Sequence, residues 1–479
     1  MEKAKLLFIV TLVFLLGLFI LTPHVWCQKI TLTHDDITRA KAVFDDPKPL
    51  FKELPLSKVL PPDSYRKLTH DVEAMKSAWA DVLGFKTPDV VGKIFPEIKP
   101  GTYTYQDRDK YPGLKELMLP GIWEHYFKPG GPPLVGNFSE FKLVPTRQQY
   151  WSLPVARATK ENMGRTKLDN QGYIIEDSYI NGYPFPRPSG EFKAQQIIYN
   201  WKKRYSYGDS MTMYALPIGF NKSLKIDSQG AGFMTQIRFK GRAFLEPYGW
   251  LDKRAKDRRE DKGTLFAYLS PRDLYGNAFS INYYLDANKL DNFVLYISAI
   301  RRARKMSATD TQDNVGGQDG IYDDNEGFDP KLSPDHYPYK YELIAEREYL
   351  IPVTIDGAPY INSKKGYEFI NLEFERRPMY VVQLTQLDKN YIYSKRILYF
   401  DKETFNLLYS QNYDRKGRLY RVNFQNQAFF PEIGLTFMFD ATQRDFVDLH
   451  STYNRFYIIP TPWLGRDDVD IYNFAGKQK

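Results

Sequence analysis

The sequence predicts an α+β protein that is mainly β: an antiparallel meander with helices ahead of it. Three observations carry this. The 479 residues include 36 Tyr, 32 Phe and 7 Trp, or 16% aromatic, which suits strands and half-wet apolar surfaces. Two amphipathic stripes precede residue 232, and about ten strand-like segments follow it.

In chain order, Lys3 and Lys5 precede an apolar run from Leu6 to Leu21, then Pro23. That pattern reads as a secretory signal over residues 1–27, with cleavage after Cys27. An uncleaved anchor and a lipidated Cys27 are the alternatives. Residues 28–61 are rich in Pro and charge and read as an extended arm, after which residues 62–479 form one large domain. Its part 62–231 is helical and irregular, 232–460 is the meander, and 461–479 is a C-terminal tail. Tyr65, Leu68, Val72, Met75, Trp79 and Val82 recur at helical spacing, with Asp63 or Ser64 to cap the start and Gly84 to end it. A second helix is expected from Glu191 to about Tyr205, with Ile197, Ile198, Trp201 and Tyr205 as its stripe.

Strand candidates are Phe233–Leu245, Thr264–Leu269, Ala278–Leu285, Phe293–Arg304, Tyr341–Val353, Glu373–Thr385, Tyr391–Phe400, Phe405–Tyr413, Leu419–Phe424 and Phe446–Ile459. Turn sequences at 401–404 and 414–417 join neighbours. In Leu419–Gln425 the residues alternate, with Tyr420, Val422 and Phe424 on one face and Arg421, Asn423 and Gln425 on the other. Ile397–Phe400, Phe293–Tyr296 and Tyr380–Val382 are instead apolar on both faces, so helices, another sheet or an apolar ligand must cover the second one.

A net charge of +8 is thin over this length and gives no nucleic-acid footprint. At 43% hydrophobic the chain is no disordered protein, and a mean hydropathy of −0.50 excludes a multi-span membrane protein. There is no phosphate-cradling Gly loop, no dinucleotide turn and no nucleophile elbow, so no cofactor is expected. The histidines at 34, 70, 125, 336 and 450 are too scattered for a common zinc site. The acidic run 310–329 resembles a calcium loop at Asp323, Asn325 and Gly327, but Pro334 stands where the closing glutamate belongs, so no metal is expected. Its carboxylates, Asp319 among them, are instead candidates to pair with Arg302 and Arg304.

Three passages are more specific. They are Asn181-Gly182-Tyr183-Pro184-Phe185-Pro186 with Tyr199-Asn200-Trp201; Leu295-Tyr296 through Arg301–Lys305 to Asp319-Gly320 and Tyr341–Tyr349; and Glu375-Arg376-Arg377 with Asp401–Thr404 and Tyr413–Gly417. In this order they resemble domain-of-unknown-function family 1329, exported proteins of Gram-negative bacteria often described as outer-membrane lipoprotein-sorting proteins. The resemblance spans about residues 90–460; Tyr183 stands where the family often has Leu, and the arm is not covered. It implies a relation to the periplasmic lipoprotein carrier fold, a strongly curved antiparallel half-barrel closed by helices around an apolar cavity. It also implies association with an inner-membrane pump of the resistance–nodulation–division type and an outer-membrane barrel. It supplies no catalytic residues.

The leading expectation is a periplasmic, non-enzymatic carrier of a lipid or lipoprotein acyl chain. A docking subunit of a transport complex and a carboxylate-dependent envelope hydrolase are the alternatives. Burying about 14 methylenes at roughly 0.8 kcal/mol each is driving force enough for a carrier. The cavity candidates are Trp79, Phe185, Ile197, Trp201, Tyr205, Tyr296 and Tyr399, with Trp79 and Trp201 expected near the mouth.

Overall fold

The computed structural model describes residue 57 and residues 60–306, 311–314, 320–354 and 360–477. The signal segment, nearly all of the arm, and Asp319 lie outside the described residues.

Twenty strands form in the described chain, most of them in one curved sheet. The first are β1 (Gly101–Thr104), β2 (Glu140–Leu143), β3 (Ser210–Phe220), β4 (Ile226–Gln229) and β5 (Ala231–Arg238). After the small pair β6 (Lys240–Arg242) and β7 (Gly249–Trp250) come β8 (Glu260–Ser270), β9 (Ala278–Tyr284), β10 (Asn292–Ile297) and β11 (Arg302–Lys305). Next are β12 (Tyr339–Thr354), the pair β13 (Tyr360–Asn362) and β14 (Glu368–Ile370), and β15 (Glu373–Gln386). The meander ends with β16 (Lys395–Asp401), β17 (Leu407–Tyr413), β18 (Leu419–Phe430), β19 (Leu435–Asp445) and β20 (Ser451–Pro460). The sheet runs β1-β2-β15-β16-β17-β18-β19-β20-β3-β5-β8-β9-β10-β11, with β12 beside β15. Pairing is antiparallel except where β2 meets Glu373 and Phe374, and where Val353 and Thr354 of β12 meet Gln427 and Ala428 of β18. That second contact brings β12 back onto β18, so the sheet curls.

The turns at 401–404 and 414–417 join β16 to β17 and β17 to β18 as expected. Two further strands lie outside the expected set: β3 contains Pro217 and Gly219, which read as breakers, and β19, where Leu435, Phe437, Phe439 and Ala441 alternate with Thr436, Asp440 and Thr442, is buried along its whole length. The expected strand 293–304 is split by a turn at Ser298–Ile300, with Arg301 at φ 52°.

The strands that are apolar on both faces are covered by protein on both. On one side Val382, Leu398 and Phe400 pack with Trp79, Val155, Ile197 and Trp201 from three helices, Val72–Leu83, Leu153–Asn162 and Lys193–Lys202. On the other, Val381, Tyr399 and Phe424 pack with Leu114, Trp123, Phe127 and Phe141 from the irregular segment before residue 144. A third cluster joins Ile237, Leu265, Val294 and Tyr296 to Val469 and Ile471, so the tail packs on the far end of the sheet.

The first helical stripe belongs to two helices, Pro62–Leu68 and Val72–Leu83. Thr69 is extended, and the Asp71 side chain accepts from the Ala74 amide at 2.7 Å, which caps the second helix afresh. Gly84 closes it at φ 85°. Gly182 has an equally local reason: at φ 76°, a Cβ there would lie 2.6 Å from the Thr159 backbone nitrogen. The Gly182 amide donates to the Tyr205 hydroxyl at 2.8 Å, and the Tyr183 ring lies within 5.6 Å of those of Trp79, Trp151, Tyr205 and Phe405.

Candidate functional site

A cavity of about 160 Å³ lies between one face of the sheet and the loop 320–329. Its floor takes alternate residues from adjoining strands. Met213 and Ala215 come from β3, Met234 from β5, Phe266 from β8, Phe279 from β9 and Phe456 from β20. Register makes the floor continuous: Met213 is opposite Met234, Met234 opposite Phe266, and Phe266 opposite Phe279. Successive side chains of a strand point to opposite faces, so Phe233 and Leu265, next to Met234 and Phe266, belong to the cluster on the far side. Polar groups stand at the margins, Asn423 opposite Gln443 at one and Gln236 opposite Thr264 at another.

The loop is fastened over this floor by ions. Asp329 accepts from Lys202 Nζ at 2.7 Å and from the Tyr283 hydroxyl at 3.2 Å, with Lys262 Nζ 3.9 Å away. Burial raises the Asp329 carboxyl, but Lys202 and Lys262 outweigh it and hold the group down at about 2. Glu326 pairs with Arg204, whose guanidinium lies 3.6 Å from the Trp201 ring centroid. Asp324 accepts from Arg396 at 2.7 Å and from the Tyr393 hydroxyl at 2.5 Å. Asp323 accepts from the Tyr391 hydroxyl at 2.6 Å; burial pushes it up to about 7, against the pull of Tyr391 and Arg396. Two neutral bonds complete the closure: Gln425 Nε2 to the Glu326 carbonyl at 2.8 Å, and Trp201 Nε1 to the Phe328 carbonyl at 3.0 Å. The loop thus covers an apolar floor and is held by charged and polar contacts together with Phe328, buried in the core, and Tyr322, whose ring packs on those of Phe279 and Phe293.

A second buried ionic cluster is remote from the cavity lining. Arg377 is bidentate to Asp401 and donates to Glu403 at 2.9 Å, while Glu375 also receives Arg147 at 2.7 Å. Glu403 further accepts the Thr87 and Gln149 amides, and its carbonyl receives Trp79 Nε1 at 2.8 Å. Burial lifts Glu403 to about 7 although Arg377 opposes it. The cluster ties β15 and the β16–β17 turn to the helical layer, which is a structural task.

The sequence-derived candidates lie in three different clusters. Trp79, Ile197, Trp201 and Tyr205 are in the core under the helices with Phe185 beside them, Tyr296 is in the tail cluster, and Tyr399 is on the opposite face of the sheet. None lines the cavity. Trp79 and Trp201 are 0% and 2% exposed, and each indole N–H is bonded to a carbonyl, so they are core residues and not a cavity mouth. The reason is that the helices cover the β15–β16–β17 part of the sheet, whereas the loop 320–329 covers the part around β3 and β5. Arg302 and Arg304 are exposed on β11 at the sheet edge. The carboxylates expected near them, in the described part of the run, pair with Lys202, Arg204 and Arg396 instead, because Ile321–Asp329 crosses the sheet to these cations. Among the described residues no group of three His, Cys, Asp or Glu is arranged to hold a metal.

The family model described as proteins of unknown function, DUF1329, matches residues 134–461, a stretch that holds the cavity, its loop and the Arg377 cluster. The chain belongs to the DUF1329 family. An uncharacterized protein of Pseudomonas aeruginosa is 26% identical to this DUF1329 chain over 286 residues, 56% of its length. The match spans 58% of that relative. Similar solved structures include a Vibrio parahaemolyticus domain named for outer membrane lipoprotein sorting, with a TM-score of 0.42, 16% identity, and coverage of 58% of this chain and 97% of that one. A DUF1329 family protein from Desulfovibrio piger has a TM-score of 0.40 at 15% identity, over 56% of this chain and 92% of that one. A LolA superfamily protein from Nitrosomonas europaea has a TM-score of 0.36 at 13% identity, over 58% and 97%.

Proposed function

We propose that this protein is a non-enzymatic envelope carrier that holds a hydrophobic molecule in the cavity beneath the loop 320–329. The observation that supports this is the join of an apolar floor with a polar fastening. The ion pairs are the part of this seal that water can replace on opening, while Phe328 anchors the end of the loop in the core. The cavity's size sets the scale. A cavity of about 150 Å³ takes a benzene-sized group. The 160 Å³ here therefore accommodates about six carbons, worth roughly 5 kcal/mol at ~0.8 kcal/mol each before ordering costs. A 14-carbon chain needs the loop displaced.

Export to the periplasm and service to an inner-membrane pump and outer-membrane barrel are part of the proposal, and rest on the Lys3–Cys27 pattern and the family. No described helix is long and apolar enough to cross a membrane. Native mass spectrometry with lipid extraction, on protein purified from its envelope fraction, tests the carrier reading. The parent should retain an extractable amphiphile, and Ala441→Phe, at a β19 residue that also lines the cavity, should fill the space and lose it at an unchanged melting temperature. A parent free of any such molecule would sink the reading.

A further inference from the structure

Resting on that reading, we infer that the cavity selects an amphiphile whose polar end is an uncharged hydrogen-bond donor, a hydroxyl or an amide, over one with a charged head. Two observations point there. The first is Asn423. It lies on the face of β18 that also presents Gln425, whose amide donates to the cavity loop at Glu326. Asn423 lines the cavity, is 8% exposed, and its Oδ1 has no hydrogen-bond partner. A buried acceptor without a partner costs free energy that a donor on the ligand recovers. Directly across the ladder is Gln443, also lining the cavity. Its Nε2 makes only a long 3.4 Å contact to Asp324, so a donor is within the same margin. A hydroxyl or an amide, able both to donate and to accept, matches this pair of side-chain amides.

The second observation is the charge balance. Lys262, the cation in the cavity lining, faces Asp329, and the cations that fasten the loop face its other acids as well: Lys202 faces Asp329, Arg204 faces Glu326, and Arg396 and Arg421 face Asp324. A carboxylate or phosphate head would have to compete with the loop's own acids for these partners. An ammonium head would bring a charge beside carboxylates that are already neutralised. Burying an ion without its own partner is the more costly arrangement, so a neutral head is favoured. Lys262 is the most loosely held of the cations, 3.9 Å from Asp329 with its ammonium 4.3 Å from the Tyr283 ring centroid, and it makes anion binding the chief rival.

The test is titration calorimetry of the delipidated full chain with 1-octanol, octanamide, octanoate and octylamine at pH 7. The neutral pair should bind at least tenfold more tightly than either ion. Asn423→Leu should weaken the alcohol and amide about tenfold and leave the ions unchanged. Tighter binding of octanoate, abolished in Lys262→Met, would overturn the inference while leaving a carrier in place. So would a parent that binds all four alike, or an Asn423→Leu variant that folds and keeps the preference. Absence of binding by all four probes would remove both this inference and the cavity reading beneath it. The preference of the parent chain decides the matter even where the variant fails to fold.

Discussion

Replacing Asp329 with Asn should loosen the loop 321–329 and leave the sheet beneath it intact. The magnitude follows from the carboxylate's surroundings. Lys202 and Lys262 hold Asp329 at about 2, below the ordinary 3.8, which is worth about 2 kcal/mol. Because the folded value lies below the unfolded one, that stabilisation is present above pH 4 and is lost as the pH falls through about 2. At neutral pH, Asp329→Asn therefore makes opening of the loop about thirtyfold more frequent. Hydrogen exchange read by mass spectrometry reports it directly, since the Asp329 amide bonds the Asp323 carbonyl at 3.0 Å and the Asp324 amide bonds that of Ile321 at 2.9 Å. The peptide holding these amides should exchange about thirtyfold faster while peptides from β3, β5 and β8 keep the parental rate. Equal acceleration throughout would mean that the loop is part of the cooperative core, and an unchanged loop would mean that its ion pairs fasten nothing.

Asp323, Glu403 and Asp440 are pushed up to about 7, 7 and 6 by burial, so each favours its neutral form in the folded chain. Stability should then fall as the pH rises from about 4 to 8, with a higher melting temperature at pH 5 than at pH 8 and a shallower slope in Glu403→Gln. Arg377→Met leaves Glu375, Asp401 and Glu403 buried together and should cost on the order of 3–5 kcal/mol in denaturant melts; a loss below about 1 kcal/mol would contradict the role given to the cluster. Trp79→Ala and Trp201→Ala should each cost about 3–5 kcal/mol, with bound amphiphile unchanged in the protein that remains folded. A mild loss of stability with loss of amphiphile would return these residues to the ligand.

Much of the meander was legible because local rules suffice there. Lys395–Asp401, Leu407–Tyr413 and Leu419–Phe430 are joined by turn sequences that permit little else. What escaped was set by burial on both faces. Ser210–Phe220 carries Pro217 in mid-strand and still pairs on both sides, and in Leu435–Asp445 the polar residues Thr436, Asp440 and Thr442, which alternate with Leu435, Phe437, Phe439 and Ala441, are buried as fully as the apolar ones. The period-two signal measures the difference between two faces, and in Ser210–Phe220 that difference is small.

The same logic explains why the candidates read from the sequence do not coincide with the cavity lining. Arg421, Asn423 and Gln425 were readable as the polar face of a strand, and a polar face is ordinarily in water. In the fold they are 4%, 8% and 1% exposed, because an acidic loop some hundred residues earlier in the chain lies across them. Spacing along the chain cannot reveal a contact between Gln425 and Glu326, or between Arg204 and Glu326, since no local period links them. The long aromatic stripes drew the expectation of a ligand, yet large rings with satisfied N–H groups are what a packed core uses. The cavity floor is built instead from Met213, Ala215, Met234, Phe266, Phe279 and Phe456, spread over five strands and none conspicuous within its own segment. A floor assembled from several adjoining strands has no signature in sequence, and the acids of 323–329, though legible as an acidic run, carry no sign that their partners are Lys202, Arg204 and Arg396 from distant segments.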